Sequence, residues 1–112
     1  MTTHIRDFKW SEREKMIARR AYDRAYEKEC AGILNTLKEM IKGTSDPRDI
    51  WKMEDYLDKK RMEITAKYDY RYSVLILVFG RLIQDGLIEE KDLSGLDPDK
   101  IEKITRPPGE ST

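Results

Sequence analysis

The fold is decided by residues 51–79, which read WKMEDYLDKKRMEITAKYDYRYSVLILVF. The first part of this stretch is rich in charged residues and begins with Trp51. The second part ends in the uninterrupted apolar run Val74–Phe79. A charged segment that leads directly into a fully apolar one indicates an exposed helix followed by a buried element.

The secondary structure of the second part has two readings, because a tyrosine-rich segment before an aliphatic run also suits a strand. Length and spacing favour a helix. Apolar residues recur at the i, i+3, i+4, i+7 and i+8 positions Leu75, Val78, Phe79, Leu82 and Ile83. Gly86 then supplies a helical stop. The sequence therefore predicts a helix from about Tyr70 to Asp85, apolar nearly all round and hence buried.

Upstream, the sequence predicts one long helix. Ser11 and Glu14 have capping-box spacing, in which the serine accepts from the third helical amide while the glutamate reaches back to the cap. The helix continues to about Ile41, which makes it roughly 45 Å long at 1.5 Å per residue. Its apolar stripe comprises Tyr22, Tyr26, Cys30, Ile33, Leu37 and Met40, widened by Ile17, Ala21, Ala25, Leu34 and Ile41. A chain of 112 residues cannot cover such a rod alone, so we expect a second copy to cover part of it.

The connections between the helices predict a hairpin. Gly43 is expected to end the first helix in a left-handed conformation, and Asp46-Pro47 to cap and open a second helix that continues to about Lys67. A connection this short implies that the two helices are antiparallel. Further along, residues 88–93 can form one or two turns, and Asp97-Pro98 opens a last helix to about Ile104.

Together these elements predict an all-α fold. A long antiparallel helical hairpin forms a dimeric stalk, and a small helical head follows it. The expected divisions are a flexible N-terminus at 1–9, a single domain at 10–105 with its stalk at about 10–68 and its head at about 70–105, and a disordered tail at 106–112.

The charge balance weighs against a nucleic-acid-associated regulator. Lys and Arg number 22, as do Asp and Glu, so the formal net charge is zero, whereas nucleic-acid binders normally carry a basic excess. Only the short basic groups Arg19-Arg20 and Lys59-Lys60-Arg61 favour that class. The longest apolar run is far shorter than the ~20 residues that span a bilayer, and the N-terminus lacks the apolar core of a signal peptide. We expect a soluble cytoplasmic protein with no nucleic-acid partner and no membrane insertion.

The sequence offers no catalytic constellation. Its one histidine, His4, stands in a terminus expected to fray, and the single Cys30 lies in an apolar stripe, where a thiol behaves as a small hydrophobe. Glu54, Asp55 and Asp58 alone are weak evidence for a metal site. No Gly-rich loop follows a strand. The sequence therefore predicts a protein that is not an enzyme and that needs neither cofactor nor metal.

The second helix carries an arginine beside its apolar seam. With residues placed at 100° intervals, the seam occupies a sector of roughly 60° and comprises Ile50, Met53, Leu57, Ile64 and Tyr68. Arg61 lies roughly 20° beyond its edge. An arginine so close to an apolar seam is costly unless it is paired, which predicts a carboxylate partner. Glu54, Asp58 or a second copy of the chain are the candidates.

A neighbouring surface of the same helix collects Trp51, Asp55, Asp58 and Met62. Tryptophan and arginine are the side chains most enriched at binding hot spots, so the surface is a candidate binding site. The structural alternatives are that Trp51 covers the end of the hairpin, that Arg61 extends to solvent and binds nothing, and that the acidic residues form a solvated face.

The same residues resemble the fluorescence recovery proteins of cyanobacteria. The resemblance rests on Asp49–Leu57 (DIWKMEDYL), Lys60–Ile64 (KRMEI) and Lys67–Val74 (KYDYRYSV). Further similar segments are Ala25–Glu29, Gly32–Leu34 and Leu82–Leu87. The resemblance extends over roughly residues 10–104. It is specific, because the pattern Trp-x-x-x-Asp-x-Leu-x-x-x-Arg recurs in one register.

The resemblance implies an all-α fold with a dimeric helical stalk and a compact head. It also implies a non-catalytic activity. Proteins of this family bind photoactivated orange carotenoid protein, chiefly its C-terminal domain. They hasten its return to the compact orange form and help detach it from phycobilisomes. We accordingly expect a homodimeric regulator that reaches the cytoplasmic face of thylakoids through its partner.

The resemblance and the helical periodicity together predict two sets of functional residues. The family's interface tryptophan, aspartate and essential arginine match Trp51, Asp55 and Arg61, and a head lysine matches Lys103. The whole partner-binding set is Trp51, Glu54, Asp55, Asp58, Arg61, Leu77 and Lys103, in which Leu77 replaces a head aromatic. The first-helix leucines that hold the family's dimer match Cys30 and Leu34. The whole dimer-interface set is Cys30, Leu34, Leu37, Ile50 and Leu57.

Besides Leu77 and Cys30, three further positions depart from the family's pattern. Glu54 and Met62 stand where the family has histidines, and Thr65 stands where it has an acidic residue. These departures leave a second hypothesis open: a helical interaction module of the same fold with a different or reduced partner.

Overall fold

The computed structural model describes residues 8–106 and shows four α-helices and no strand within them. The helices are α1 (Glu12–Lys42), α2 (Ile50–Lys67), α3 (Leu75–Gln84) and α4 (Pro98–Thr105). Two 3-10 turns, Pro47–Asp49 and Glu90–Leu93, precede α2 and α4. The prediction of an all-α fold is confirmed. Most of the two terminal segments, with His4, lies outside the described residues.

Helix α1 begins at the predicted cap. The Ser11 hydroxyl accepts from the Glu14 N–H at 3.1 Å, and a Glu14 carboxylate oxygen accepts from the Ser11 N–H at 3.0 Å. In its first half, α1 presents the fully buried small residues Ala18, Ala21 and Ala25 to the rest of the molecule. Because alanine side chains are short, the head packs close to the backbone of α1 there.

The turn of the hairpin differs from the prediction at Gly43. This residue has a φ of −81°, so the predicted left-handed stop is wrong. The Gly43 N–H donates to Glu39 and the Thr44 N–H to Ile41, which ends the helix without a positive φ. Asp46 acts as the predicted cap, since its carboxylate accepts from the Arg48 N–H at 2.9 Å. It caps a 3-10 turn, however, and α2 begins only at Ile50.

Helix α3 begins at Leu75 rather than at about Tyr70. Instead of extending the helix, the tyrosines before it pack edge-to-face on α1, with Tyr22 4.8 Å from Tyr70 and 5.3 Å from Tyr68 between ring centroids. The Arg19 guanidinium lies 4.6 Å from the Tyr70 ring centroid. These aromatic and cation–π contacts outweigh local helix propensity in the connecting segment.

The core of the molecule lies in the head. Leu75, Phe79 and Leu82 of α3 are fully buried, as are Leu93 and, in large part, Ile104. The predicted burial of α3 is confirmed for Leu75, Ile76, Val78, Phe79 and Leu82, whereas Leu77 is 62% exposed. Gly86, at a φ of +74°, ends the helix as predicted. Gly80 brings α3 against α4, since a Cβ there would lie 3.3 Å from the Ile104 carbonyl oxygen.

The molecule is elongated. Its extents are 61 × 27 × 20 Å and its radius of gyration is 17.4 Å, against about 13 Å for a compact domain of this length. No residue of α2 is buried, and the buried residues of α1 all belong to its first half. The distal half of the hairpin therefore projects from the core and leaves apolar side chains exposed.

Candidate functional site

An apolar groove follows one face of the hairpin, between the second half of α1 and α2. One section has a volume of about 430 Å³ and is lined by Leu37, Ile41, Ile50, Met53, Glu54, Leu57, Asp58 and Arg61. A second section of about 310 Å³ is lined by Tyr26, Ile33, Leu57, Lys60, Arg61, Ile64 and Thr65. Leu57 and Arg61 line both sections, so these form one surface, here called the hairpin groove.

The hairpin groove is open because the residues that α2 packs toward α1 are only in part those of the predicted seam. The partly buried residues of α2 are Met53, Tyr56, Lys60, Ile64 and Lys67. Ile50 and Leu57, two residues of the predicted seam, are 54% and 41% exposed in the single chain. Tyr68 has left the helix, with a ψ of 94°. The seam prediction is therefore wrong for Tyr68. Ile50 and Leu57, which also belong to the predicted dimer-interface set, are left uncovered by the single chain.

Arg61 is exposed at the middle of the hairpin groove. Glu54 and Asp58 line the same groove, yet neither carboxylate lies within 4.0 Å of the Arg61 guanidinium. No other described carboxylate does so either, so the predicted pairing within the chain is wrong. The guanidinium presents its donors to solvent beside an apolar surface, which is the arrangement that a carboxylate from another molecule would complete.

Trp51 lies on the outer side of α2, beyond the hairpin groove. Its side chain is 61% exposed, and that of Met62, three turns along the helix, is 66% exposed. The alternative in which Trp51 covers the end of the hairpin is therefore wrong. Asp55 is exposed between them. Large apolar side chains that are exposed together with carboxylates on one line are typical of a binding surface.

The two head residues of the predicted partner-binding set come together at a separate place. Leu77 of α3 and Lys103 of α4 line one groove of about 290 Å³ between these helices. Leu77 is 62% exposed, and the cations Arg81 and Arg106 line the same groove. The predicted set is thus divided between the stalk and the head.

The α1 members of the predicted dimer set follow the helix on the side of the hairpin groove. Leu37 lines the groove and is partly buried. Leu34 is 50% exposed, and Cys30 is partly buried. None of them enters the core of the single chain.

Sequence reasoning missed a buried ion pair between α1 and α4. The Lys100 ammonium lies 2.9 Å from a Glu14 carboxylate oxygen, and the exposed fractions of the two side chains are 2% and 7%. Lys100 also donates to the Lys9 carbonyl oxygen at 2.6 Å and lies 5.0 Å from the Trp10 ring centroid. Glu14 accepts in addition from the Asp97 N–H at 3.0 Å. The pair therefore holds the segment before α1 and helix α4 together at the start of α1.

The environment of Glu14 favours its charged form. Burial by itself would raise the pKa of this carboxyl, but hydrogen bonds from Ser11, Asp97 and Lys100 outweigh it and hold the pKa below its ordinary value. The capping-box pattern was the only sequence signal, and it indicated Glu14 as a helix cap without its lysine partner.

A second ionic cluster joins the stalk to the head. The Lys67 ammonium at the end of α2 lies 2.7 Å from Glu29 of α1 and 2.9 Å from Asp85 after α3. Burial would lower the pKa of Lys67, yet the two carboxylates raise it above its ordinary value. Beside the cluster, burial and the nearby Glu29 carboxylate raise the pKa of the Tyr68 hydroxyl. Lys67 therefore remains a cation that links the end of α2 to α1 and to the residue after α3.

Two further observations concern the described part of the chain. Between residues 8 and 106, no cluster of His, Cys, Asp or Glu side chains is arranged to hold a metal ion. None of the helices in that span is both long and apolar enough to cross a membrane.

The fold and these surfaces define an all-α protein in which a projecting hairpin and a helical head each present an exposed groove. The family model for the photoprotection regulator fluorescence recovery protein matches residues 10–106. The chain belongs to the fluorescence recovery protein family, a family of photoprotection regulators.

Individual relatives agree with this assignment. The fluorescence recovery protein of Synechocystis sp. PCC 6803 is 39% identical over 95 residues, which cover 85% of this chain and 87% of the relative. A solved structure of that protein has a TM-score of 0.80 at 38% identity, and the match covers 87% of this chain and 95% of the other. The structure of the Fremyella diplosiphon protein has a TM-score of 0.79 at 40% identity, with the same coverage.

Proposed function

We propose that this protein is a homodimeric, non-catalytic regulator that binds photoactivated orange carotenoid protein. It accelerates the return of that protein to its inactive orange form and helps detach it from phycobilisomes. The observation that carries the proposal is the exposure of Trp51, Asp55 and Arg61 on α2. These residues match the family's interface set, and the fold of the single chain uses none of them in its core.

The physical basis of this activity is differential binding. A protein that binds one conformer, or the transition state between two conformers, more tightly than the other shifts the populations or the rate. Trp51 supplies apolar area, and Arg61 supplies a planar donor fork for a carboxylate. Leu77 and Lys103, in the groove between α3 and α4, provide a second contact with the C-terminal domain of the carotenoid protein. No covalent step is required.

The homodimer is part of the proposal. A second copy that packs on the apolar part of the hairpin groove buries Leu37, Ile50 and Leu57, together with Leu34 and Cys30 beside it, and leaves Arg61 accessible to the carotenoid protein. Groups of exposed apolar residues of this size are unusual on a monomer. Support comes from the elongated shape, since the single chain places its core at one end only. The proposed location is the cytoplasm, at the cytoplasmic face of thylakoids through the partner.

A second candidate function is favoured by two positions on the partner-binding face. Glu54 carries a negative charge and Met62 an apolar, 66% exposed side chain where the family has histidines. Such a face fits a fluorescence-recovery-protein-like interaction module with a different or reduced partner. A genome neighbourhood without genes for the carotenoid protein or for phycobilisomes favours this candidate.

A binding experiment distinguishes the two candidates. The protein is mixed with dark-adapted or photoactivated orange carotenoid protein, and the complex is measured by size-exclusion chromatography. We expect a complex with the photoactivated form and with the isolated C-terminal domain. Trp51→Ala weakens it, while Lys59→Ala, a truncation at an exposed position of α2 away from the groove, leaves it unchanged. The absence of any complex at excess protein would reject the proposed function and favour the second candidate.

A further inference from the structure

Six cations follow one line of α1 outside the hairpin groove. Nine positions of this helix fall within a sector of roughly 80°, and the three without a cation are Ile17, Ala31 and Asn35. The cations are Arg13, Arg20, Arg24, Lys28, Lys38 and Lys42, all of them exposed. No Asp or Glu falls in the sector. This basic stripe is roughly 44 Å long at 1.5 Å per residue.

Pairing within the chain explains only part of the basic stripe. Arg24 lies 3.4 Å from Asp92 and Lys42 lies 3.5 Å from Glu39, while Lys28 donates to the Gly86 carbonyl oxygen. For the remaining three cations, no carboxylate lies within 4.0 Å in the part of the chain that the structure describes. These three are Arg13, Arg20 and Lys38.

Helix stability does not explain the arrangement either. Arg20, Arg24 and Lys28 follow one another at intervals of four residues, as do Lys38 and Lys42. Like charges at this spacing disfavour a helix. Elsewhere α1 places opposite charges three or four residues apart, and Arg19 pairs with Asp23 in this way at 3.4 Å. The stripe thus costs stability that alternating charges would have avoided.

We propose that the basic stripe docks an acidic surface of a protein partner. This proposal goes beyond the function proposed above, because the stripe lies on α1 and shares no residue with either predicted interface set. Cations spaced by four residues over several turns match carboxylates spaced in the same way on a facing helix. Complementary charge of this kind steers the encounter and fixes the register of two surfaces.

The chemistry of the stripe disfavours the two other anionic partners. A helix that lies on a membrane presents tryptophan, phenylalanine or leucine beside its cations, whereas the two apolar residues of this sector are Ile17 and Ala31. Ile17 is moreover partly buried against the head. A nucleic acid would meet a molecule of zero net charge, with Glu54, Asp55 and Asp58 exposed on the other helix.

The test uses fluorescently labelled poly-L-glutamate as the acidic polypeptide and measures its anisotropy at several salt concentrations. A 20-base-pair DNA duplex and phosphatidylglycerol vesicles serve as the competing anions. The variant Arg20→Glu/Lys38→Glu reverses two cations of the stripe that have no carboxylate partner. Lys52→Glu/Lys59→Glu makes the same change of net charge at exposed positions of α2 and is the control. The Lys52 ammonium lies 3.3 Å from an Asp49 carboxylate oxygen, in a surface ion pair whose loss should change stability little.

We expect the chain to bind poly-L-glutamate at low salt and more weakly as salt rises. Arg20→Glu/Lys38→Glu should lower the affinity for poly-L-glutamate about tenfold or more, and the control less than about twofold. The two should differ because binding at a localised surface depends on where the charge is changed. Circular dichroism should show that both variants remain helical. Equal losses in the two variants, no binding to poly-L-glutamate, or tighter binding to the duplex or the vesicles would each overturn the proposal.

Discussion

Among single residues, Glu14 and Lys100 form a buried ion pair that joins the head to the start of α1. Their charged atoms are almost completely removed from solvent, where an ion remains stable only if its partner and its hydrogen bonds are all present. Lys100 contacts the Lys9 carbonyl oxygen, Glu14 and the Trp10 ring. Breaking the pair therefore leaves a buried charge without its partner. It also removes a contact that holds the segment before α1.

Removal of one partner tests this constraint. We expect Lys100→Met to lower the free energy of unfolding by about 3–5 kcal/mol, because Glu14 would be left as a buried, unpaired carboxylate. Urea denaturation measures the loss. Lys42→Met removes an exposed cation from a surface ion pair with Glu39 and should change the stability by less than about 1 kcal/mol. Equal effects of the two substitutions would show that the buried pair has no special role.

The lowered pKa of Glu14 makes part of the stability depend on pH. The folded state holds this carboxylate ionised at a lower pH than the unfolded state does, so its contribution is complete above the ordinary pKa of about 4.5. It is lost as the pH falls through the lower folded value. In urea titrations from pH 7 to pH 3, Glu14→Gln should show a smaller decrease in the unfolding midpoint than the unchanged protein. A parallel decrease in both would contradict the assignment.

The sequence predicts whether a residue is exposed better than it predicts which residue its side chain contacts. Trp51 and Asp55 are exposed as expected of a binding surface, since a helical wheel needs only local spacing. Lys100 follows Asp97 and Pro98 in a polar segment, where nothing local distinguishes it from a surface lysine. Its burial depends on Glu14, 86 residues away, and on the aromatic side chains before α1. Long-range polar pairs of this kind become visible only in the folded structure.

Among the elements, the loop before α4 depends on one glycine. Gly95 has a φ of +106°, and a Cβ there would lie 2.5 Å from the Ile17 Cδ1 atom of α1. We expect Gly95→Ala to lower the free energy of unfolding by about 1–3 kcal/mol, through backbone strain and the displacement of Ile17. Thermal unfolding followed by circular dichroism measures the change.

Gly32 provides the matched control, because it lies inside α1 and a Cβ there would have no neighbour within 4 Å. Gly32→Ala should stabilise the protein by about 0.5–1 kcal/mol, since alanine is the better helix former. If both substitutions shifted stability in the same direction, the difference in backbone environment between the two glycines would be refuted.

The hairpin as an element is tested by placing a charge beside its groove. Leu34 is 50% exposed in the single chain, so Leu34→Glu should leave the helices intact while it puts a carboxylate into the proposed dimer interface. We expect light scattering to give half the mass of the unchanged protein. Asn35→Glu, one position further on α1 and on the side of the basic stripe, should leave the mass unchanged. An undiminished mass of Leu34→Glu would show that the interface lies elsewhere.

Element boundaries were predictable where the signal was local. The capping box of Ser11 and the Asp97-Pro98 start of α4 are read directly from neighbouring residues, and the structure confirms both helix starts. The start of α3 was not predictable in this way, because Tyr68 and Tyr70 are held by rings of α1 that are distant in the sequence. Aromatic contacts made after folding decide that boundary.

At the scale of the whole molecule, the buried core and the candidate binding residues lie in different parts of the structure. The head and the first half of α1 contain all the buried apolar residues of the described chain. The distal hairpin projects from them and carries Trp51, Asp55 and Arg61 on its surface. A packed head with a projecting hairpin that leaves apolar side chains exposed agrees with the chain's membership of a family of photoprotection regulators.

The most direct test of the proposed function is the rate of dark recovery of photoactivated orange carotenoid protein, followed by absorbance. We expect this protein to accelerate the return to the orange form. Arg61→Ala should reduce the acceleration by about tenfold or more, because a planar donor fork at the interface is lost, while the mass in solution stays that of the unchanged protein. The control Lys59→Ala should retain full acceleration. A recovery rate that excess protein leaves unchanged would contradict the proposed function.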